Sequence, residues 1–173
     1  MGGPAVARLR DGTAVGAWLL KANPAVWDVG AFLDAGEEAD TWRLAPTYRV
    51  DLLAVGQPVG LWITRGDPAH PPGLWAVGSV TGAPADDVGD PDDPRWRDLG
   101  ARRQVRPYVP VRLRALDRPV AVEAVRNDPR LATTEIVRAP RVASPVAVTP
   151  EEWAALLDLT GPGPGRREYP LRP

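Results

Sequence analysis

The sequence contains no cysteine and a single histidine, His70, among its 173 residues. The absence of cysteine excludes disulfides, thiolate-bound zinc, iron–sulfur clusters and a cysteine nucleophile. One histidine excludes a multi-histidine metal site within the chain, and a Ser-His-Asp triad would depend on His70. The glycine-rich fingerprints of dinucleotide and nucleoside triphosphate binding are missing, as is the nucleophile elbow. The sequence therefore predicts neither a metal nor an organic cofactor.

Long apolar runs and a charge excess are missing as well. No run approaches the ~20 residues that span a bilayer, and the opening residues, MGGPAVARLRDG, lack the apolar core of a signal peptide. We therefore expect a cytoplasmic protein that does not enter a membrane. The 21 basic and 22 acidic residues leave a formal net charge of −1. Because the chain is not basic overall, contact with nucleic acid would have to come from a local patch.

The length suits one domain, and the chain divides into three parts. Residues 1–14 form a lead-in, residues 15–160 the domain, and residues 161–173 a flexible tail rich in glycine and proline. Hydrophobic periodicity, caps and turn residues predict the elements of the domain. In chain order they are a strand at 15–22, a short helix after Asp28 that ends at Gly36, an extended piece at 42–44, a helical turn at 50–54, strands at 59–64, 73–81 and 108–116, a short helix at 120–125, a brief strand at 135–137 and a helix that begins after Thr149.

Two loops carry distinct chemistry. The turn formers of residues 65–72 join two of the strands into a predicted hairpin, with His70 at the surface. Residues 82–105 hold an aspartate cluster, from Asp86 to Asp93, followed by arginines, and they predict a surface loop. The spacing and turn glycine of a calcium-binding loop are absent from this cluster. A solvated acidic loop is therefore favoured over a cation site.

The order of these elements predicts an α+β fold. The strands are short, the hairpin pattern is strong, and long crossovers between parallel strands are absent. A small mixed sheet that curls into a partly closed β-barrel, with peripheral helices, fits this order best.

Tryptophan is unexpectedly abundant, with seven residues against one phenylalanine and three tyrosines. Flat indole rings either fill a core or line a pocket in which a flat ligand stacks. For Trp18 and Trp75, which are flanked by apolar residues on central strands, the core is favoured. For Trp27 and Trp62, next to a bend and a loop, both interpretations stay open.

The segments around these tryptophans resemble the EVE domain, a PUA-like family related to the YTH domain. The family opens with a Trp-Leu-x-Lys-x-x-Pro motif, and here Ala22 and Asn23 replace the commonest Ser-Glu pair in its middle. The resemblance covers about residues 15–160. The similar segments, in the family's order, are AWLLKANPAVWDV (17–29), VGLWITRGD (59–67), GLWAVGSVTG (73–82), YVPVRLRAL (108–116) and TPEEWAALL (149–157).

The resemblance implies a non-catalytic module that recognises a modified base, such as a 5-methylcytosine derivative, flipped into an aromatic cage. We expect DNA rather than RNA as the partner and leave the oligomeric state open. The residues predicted to bind the base are Trp18, Lys21 (the only lysine), Asn23, Trp27, Trp62, Thr64, Arg65 and Trp75. The densest arginines, predicted to contact the phosphate backbone, are Arg102, Arg103, Arg106, Arg112 and Arg114.

Two other functions are compatible with the same residues. One is an ASCH-like enzyme that processes RNA, for which Lys21 and Asp67 would form the candidate reactive pair. The other is a module that binds a small molecule or a protein in the same pocket. Cleavage that is lost in Lys21→Ala would support the first, and tight binding of a free metabolite without oligonucleotide binding would support the second.

Overall fold

The structure is a computed structural model that describes residues 6–161. The first five residues of the predicted lead-in lie outside the described residues, as does the predicted tail beyond Gly161. Residues 6–14 form a small turn closed by backbone hydrogen bonds of 2.9 Å, one from Leu9 N to Thr13 O and one from Val15 N to Ala7 O. Ala7 and Leu9 pack against the hydrophobic core.

A mixed, open sheet forms the centre of the described chain. Its strands run in the order β2-β6-β4-β3-β1-β7, with β5 paired to β6 beside this path. Strands β1 and β3 are parallel, and every other pair is antiparallel. The strands are β1 (Ala17–Ala22), β2 (Ala39–Arg43), β3 (Pro58–Ile63), β4 (Gly73–Val80), β5 (Ala85–Asp87), β6 (Arg106–Ala121) and β7 (Val146–Val148).

Short helices surround the sheet, which confirms the predicted α+β class and the mixed sheet with peripheral helices; the sheet is not closed into a barrel. Two 3₁₀ turns, Tyr48–Leu52 and Ala101–Arg103, lie in the connections. Between residues 6 and 161, no helix has both the length and the apolar character needed to span a membrane. The α-helices in the same part of the chain are α1 (Val29–Asp34), α2 (Val122–Asn127), α3 (Glu135–Arg138) and α4 (Pro150–Leu159).

Strand β1 is buried on both faces, which explains its continuous apolar sequence. Trp18 and Leu20 belong to one core, on the side of α1 and β2. Leu19 belongs to a second core, on the side of α2 and α4. Since successive side chains point to opposite faces, the run of residues 15–22 contributes side chains to both cores.

The predicted helix starts are confirmed by their caps. The Asp28 carboxylate accepts a hydrogen bond of 3.0 Å from Ala31 N at the start of α1. Thr149 and Glu152 form a reciprocal capping box at the start of α4, with Pro150 in the first turn. Each cap satisfies backbone donors that the first helical turn leaves free. The predicted hairpin is likewise confirmed, because β3 and β4 pair in antiparallel register.

The brief strand predicted at 135–137 is wrong, because these residues form α3. Ile136 is buried in the second core, and the Glu135 carboxylate accepts two hydrogen bonds of 2.8 Å from Arg49. These long-range contacts override the strand preference of Ile136 and Val137. The actual strand nearby, β7, has only three residues, too few for a periodic pattern.

The surface loop predicted at 82–105 contains β5 and a 3₁₀ turn, and it folds back onto the segment before α1. Backbone hydrogen bonds join Asp28 N to Arg95 O at 2.8 Å and Arg97 N to Val26 O at 2.9 Å. His70, predicted at the surface, is only 8% exposed, because α1 covers it. Contacts between distant parts of the chain therefore determine both the fold of the 82–105 loop and the burial of His70.

Candidate functional site

A pocket of about 690 Å³ lies between the end of β1, strand β2, helix α1 and the returning 82–105 loop. Its size is that of a small-molecule or nucleobase site. Five aromatic side chains contribute to its lining, and they come from four separate segments of the chain. They are Trp27, Phe32, Trp42, Trp96 and Tyr108.

Three of these rings pack together as one wall of the pocket. The ring centroids of Trp27 and Phe32 lie 5.4 Å apart, and those of Trp27 and Trp42 lie 5.8 Å apart in an edge-to-face arrangement. Trp42 is 9% exposed, whereas Trp27 is half-buried. Trp27 therefore offers the larger aromatic surface to a ligand, and Trp42 fixes its orientation from behind.

Hydrogen bonds hold the indoles in place. Trp42 Nε1 donates to the carbonyl of Lys21 at 3.2 Å, and Trp27 Nε1 donates to Asp93 Oδ2 at 3.3 Å. Trp96 Nε1 donates to the carbonyl of Asp90 at 2.7 Å. A backbone bridge between Trp27 and Trp96 ties the returning loop to the entrance of α1. The aromatic wall is thus preorganised by the fold.

A guanidinium already covers the ring of Trp27. Arg95 lies 4.9 Å from the centroid of Trp27 and 5.8 Å from that of Phe32, within cation–π range. Its Nε donates to Asp93 Oδ1 and its Nη1 donates to Glu37 Oε2, each at 2.9 Å. The hydrogen bonds that Arg95 donates to Asp93 raise the pKa of Arg95. Burial raises the pKa of Asp93, but these hydrogen bonds outweigh burial and lower the pKa of Asp93.

Lys21 lies at the other side of the pocket, where its ammonium group is anchored. Its Nζ donates to the carbonyls of Pro140 at 2.9 Å and Val142 at 2.8 Å. Its backbone N–H donates to Ser144 Oγ at 3.2 Å. Burial lowers the pKa of Lys21. With two of its three protons engaged, Lys21 retains one donor for a ligand.

Charges of both signs surround the pocket. The basic lining residues are Lys21, Arg43, Arg95 and Arg106, and the acidic ones are Glu37, Glu38, Asp40, Asp90 and Asp93. The near balance favours a flat, uncharged group with hydrogen-bond donors inside the pocket over a bare anion. Within residues 6–161, no group of three or more histidine, aspartate or glutamate side chains could hold a metal ion.

The pocket collects some of the predicted ligand-binding residues. Lys21, Asn23 and Trp27 line it, and so does Arg106, which was predicted to contact phosphate. Asn23 is exposed at the rim, where its side-chain oxygen accepts a hydrogen bond of 3.0 Å from Ala25 N. These residues come together because β1 ends at the pocket floor.

Trp18 and Trp62 belong to the core instead. Trp18 is 0% exposed and donates its indole N–H to Gln57 Oε1 at 2.9 Å. Trp62 is 3% exposed and packs in the second core, on the opposite face of β3 from Leu61 and Ile63. Rings enclosed in this way have no free face on which a base could stack.

The remaining predicted ligand-binding residues lie around the β3–β4 loop, outside the pocket lining. Thr64 Oγ1 donates to the carbonyl of Ala22 at 3.1 Å, and Trp75 Nε1 donates to that of Pro71 at 2.9 Å. Arg65 is exposed in a left-handed turn with φ of 52°. None of the three side chains lines the pocket, although all are near Trp62 in the sequence or the hairpin.

His70 joins this loop to α1. Its Nε2 lies 2.8 Å from Asp34 Oδ1, and its Nδ1 lies 3.4 Å from Asp67 Oδ1 without hydrogen-bond geometry. The ring also packs 5.2 Å from Trp75 and directly against Gly30. Burial alone lowers the pKa of His70, but Asp34 and Asp67 outweigh burial and raise it above 6.5. His70 thus helps to hold the helix that carries Phe32.

The predicted backbone-contacting arginines fall into two groups. Arg102 and Arg103 form the 3₁₀ turn just before Arg106, next to the pocket. Arg112 and Arg114 are exposed farther along β6, opposite Ser79 and Val77 of β4.

Four aromatic residues of the pocket were not predicted. Phe32 was assigned only to a helix face, and Trp42, Trp96 and Tyr108 lie outside the residues singled out for binding. The excess of tryptophan indicated that some indoles line a pocket. It did not indicate which ones, because no sequence pattern encodes the long-range bridge between Trp27 and Trp96.

Solved structures share this fold. A Pseudomonas putida protein has a TM-score of 0.59 and 22% identity, with 83% of this chain and 99% of that chain covered. A Leishmania major protein has a TM-score of 0.61 and 18% identity, with 84% and 94% covered. Human THYN1, in complex with DNA containing 5-methylcytosine, has a TM-score of 0.59 and 16% identity, with 86% and 99% covered. A comparison with curated proteins gives no match.

The open mixed sheet and these neighbours define a PUA-like domain. A family model of the EVE domain matches residues 16–159. The chain belongs to the EVE domain family, as the motifs at 17–29 and 59–82 predicted.

Proposed function

We propose that the protein is a non-catalytic module that binds a modified cytosine of DNA, flipped out of the duplex into the aromatic pocket. The observation that carries the proposal is the half-buried ring of Trp27, supported by Phe32 and Trp42, at the wall of a 690 Å³ pocket. Membership of the EVE family and the complex of THYN1 with 5-methylcytosine DNA support this choice of ligand.

Arg95 marks the position at which we place the base. A planar guanidinium and a planar base occupy a ring face in the same manner, so the base replaces Arg95 over Trp27. The departure of Arg95 frees the carboxylates of Asp93 and Glu37. These carboxylates then accept hydrogen bonds from the exocyclic amine of cytosine, a pairing that suits their geometry.

The arrangement gives less support to an RNA-processing enzyme. Lys21 donates to two backbone carbonyls, and Asp67 accepts from the backbone of Ala69 and His70 in the β3–β4 loop. Asp67 is not among the residues that line the pocket with Lys21. General acid–base or nucleophilic chemistry requires such groups within hydrogen-bond reach of each other.

The test is a binding panel on the full chain. Fluorescence anisotropy with duplexes that carry cytosine or a modified cytosine at one position, and with matched RNA, should show preference for one modified DNA. Trp27→Ala should weaken that binding by about 1–3 kcal/mol, because one stacking face is lost. Trp75→Ala is the matched control, as a half-buried indole outside the pocket lining.

Equal affinity across the panel would contradict the proposal. Tight binding of a free metabolite, without binding to any oligonucleotide, would favour a small-molecule module. Equal losses in Trp27→Ala and Trp75→Ala would show that the pocket is not the base site.

A further inference from the structure

The segment 97–105, here called the 97–105 arm, leaves the wall of the pocket and returns to it. Trp96, just before the arm, and Arg106, just after it, both line the pocket. Gln104 Oε1 accepts hydrogen bonds from Arg43 at 3.3 Å and Arg106 at 3.0 Å, which fix the returning end. The arm therefore begins and ends beside the pocket.

The arm has a fixed shape. Arg97 donates to the carbonyl of Pro24 at 2.9 Å and to the Asp28 carboxylate at 2.7 Å. Asp98 Oδ1 accepts from Gly100 N at 2.9 Å and from Ala101 N at 3.0 Å, which closes a turn around Leu99. Ala101 is 8% exposed and anchors the turn to the domain. Leu99 thus lies in a turn whose shape is held by hydrogen bonds.

The 97–105 arm carries both apolar and basic side chains. Leu99 is 61% exposed and Val105 is 62% exposed, although both are large hydrophobic side chains. Arg102, which is half-buried, and Arg103, which is exposed, lie between them in the sequence, and neither forms an ion pair within residues 6–161. Apolar side chains flanked by unpaired arginines suit a partner that combines an apolar interior with an anionic outside. Stacked bases enclosed by phosphates have this chemistry.

We propose that Leu99 inserts into the DNA duplex at the space that the flipped base vacates, while Arg102 and Arg103 contact the flanking phosphates. This inference rests on the proposed function and assigns the surface that opens the duplex. Flipping a base leaves its neighbours without a stacking partner, which is energetically unfavourable. An apolar side chain in the gap restores part of the lost contact. Because Leu99 is close in sequence to residues that line the pocket, one protein can fill the gap and hold the flipped base at the same time.

The experiment separates duplex from single strand. Affinities of the full chain are measured for a duplex with one 5-methylcytosine and for the same strand unpaired. Leu99→Ala should weaken duplex binding about tenfold and leave single-strand binding within about twofold, because only the duplex has a gap to fill. Val55→Ala is the matched control, as a 60% exposed valine outside the pocket lining. It should leave both affinities unchanged.

Two further measurements make the result decisive. Leu99→Met should restore duplex binding, because a long apolar side chain still fills the gap. A fluorescent adenine analogue beside the 5-methylcytosine, which brightens when unstacked, should be brighter in the saturated complex of Leu99→Ala than in that of the unaltered protein, because the empty gap leaves the analogue without a contact on that side.

The outcomes distinguish this inference from the proposed function. If the unaltered chain prefers modified DNA and Leu99→Ala has no effect on duplex binding, the insertion is wrong and the base site stands. Equal losses on duplex and single strand would also overturn it, since Leu99 would then act elsewhere. If the unaltered chain shows no preference for the modified base in either form, the proposed function fails and the insertion fails with it.

Discussion

Trp27 and Trp62 carry the same side chain, yet Trp62 lies on strand β3, Trp27 comes after the end of β1, and the structure uses them differently. Trp62 faces the second core from the middle of the sheet, at 3% exposure. Trp27 lies beyond the end of β1, where the chain has left the sheet and a distant loop folds over it. The alternation of side chains along a strand sets the face that Trp62 occupies, whereas Trp27 acquires its role from the loop that returns to it.

Trp62→Ala should have the largest effect, and it should act on stability. Removal of a fully enclosed indole leaves a cavity in the second core, and we expect a loss of about 3–5 kcal/mol in the free energy of unfolding. Chemical denaturation measures this value. The folded fraction should retain its affinity for modified DNA. A stable Trp62→Ala variant that no longer binds DNA would contradict this account, because Trp62 and not Trp27 would then belong to the base site.

Arg95→Ala should have the opposite effect on binding. Because the base must displace the Arg95 guanidinium from Trp27, its removal should tighten binding by about 1 kcal/mol at fixed salt. Arg118→Ala is the control, since it removes an exposed arginine of β6 that does not line the pocket. Weaker binding in Arg95→Ala would instead place the guanidinium on the bound base as a second wall.

The contribution of His70 to the stability of the protein should depend on pH. Asp34 from α1 and Asp67 from the β3–β4 loop raise the pKa of His70 in the folded protein above 6.5. The stabilisation is therefore complete below pH 6.5 and is lost as the pH rises through the folded pKa. The Tm of the protein should fall over this range relative to that of His70→Gln, which does not titrate. Parallel Tm curves for the two proteins would contradict the assignment.

Arg112 and Arg114 should give the smallest effect. Six residues of β6 at ~3.3 Å each place Arg114 about 20 Å from Tyr108 at the pocket, within reach of flanking DNA. Replacement of both by glutamine should flatten the plot of log affinity against log salt by at most about 0.9 per phosphate contact, with the preference for the modified base intact. The pair Arg102 and Arg103 serves as the comparison. An unchanged slope in Arg112→Gln/Arg114→Gln alone would restrict backbone contact to the region of the pocket.

The sequence allowed the scaffold to be predicted far better than the pocket. Caps at Asp28 and Thr149 and the hairpin of β3 and β4 depend on neighbouring residues, and they were predicted correctly. The pocket depends on contacts over long chain separations, such as Trp27 with Trp96 and Trp42 with Lys21. No local pattern encodes those distances. Lys21, Asn23 and Trp27 were the exceptions, because they lie on the motif that ends β1.

The most direct test of the account is the NMR response of the indole N–H groups. The seven tryptophans give separate indole signals, and each can be assigned by single substitution. On titration with 5-methylcytosine DNA, the signals of Trp27 and Trp96 should shift most, because these indoles line the pocket, while those of Trp18 and Trp62 stay in place. Large shifts of Trp62 or Trp75 with Trp27 unmoved would contradict the account and place the base at the β3–β4 loop.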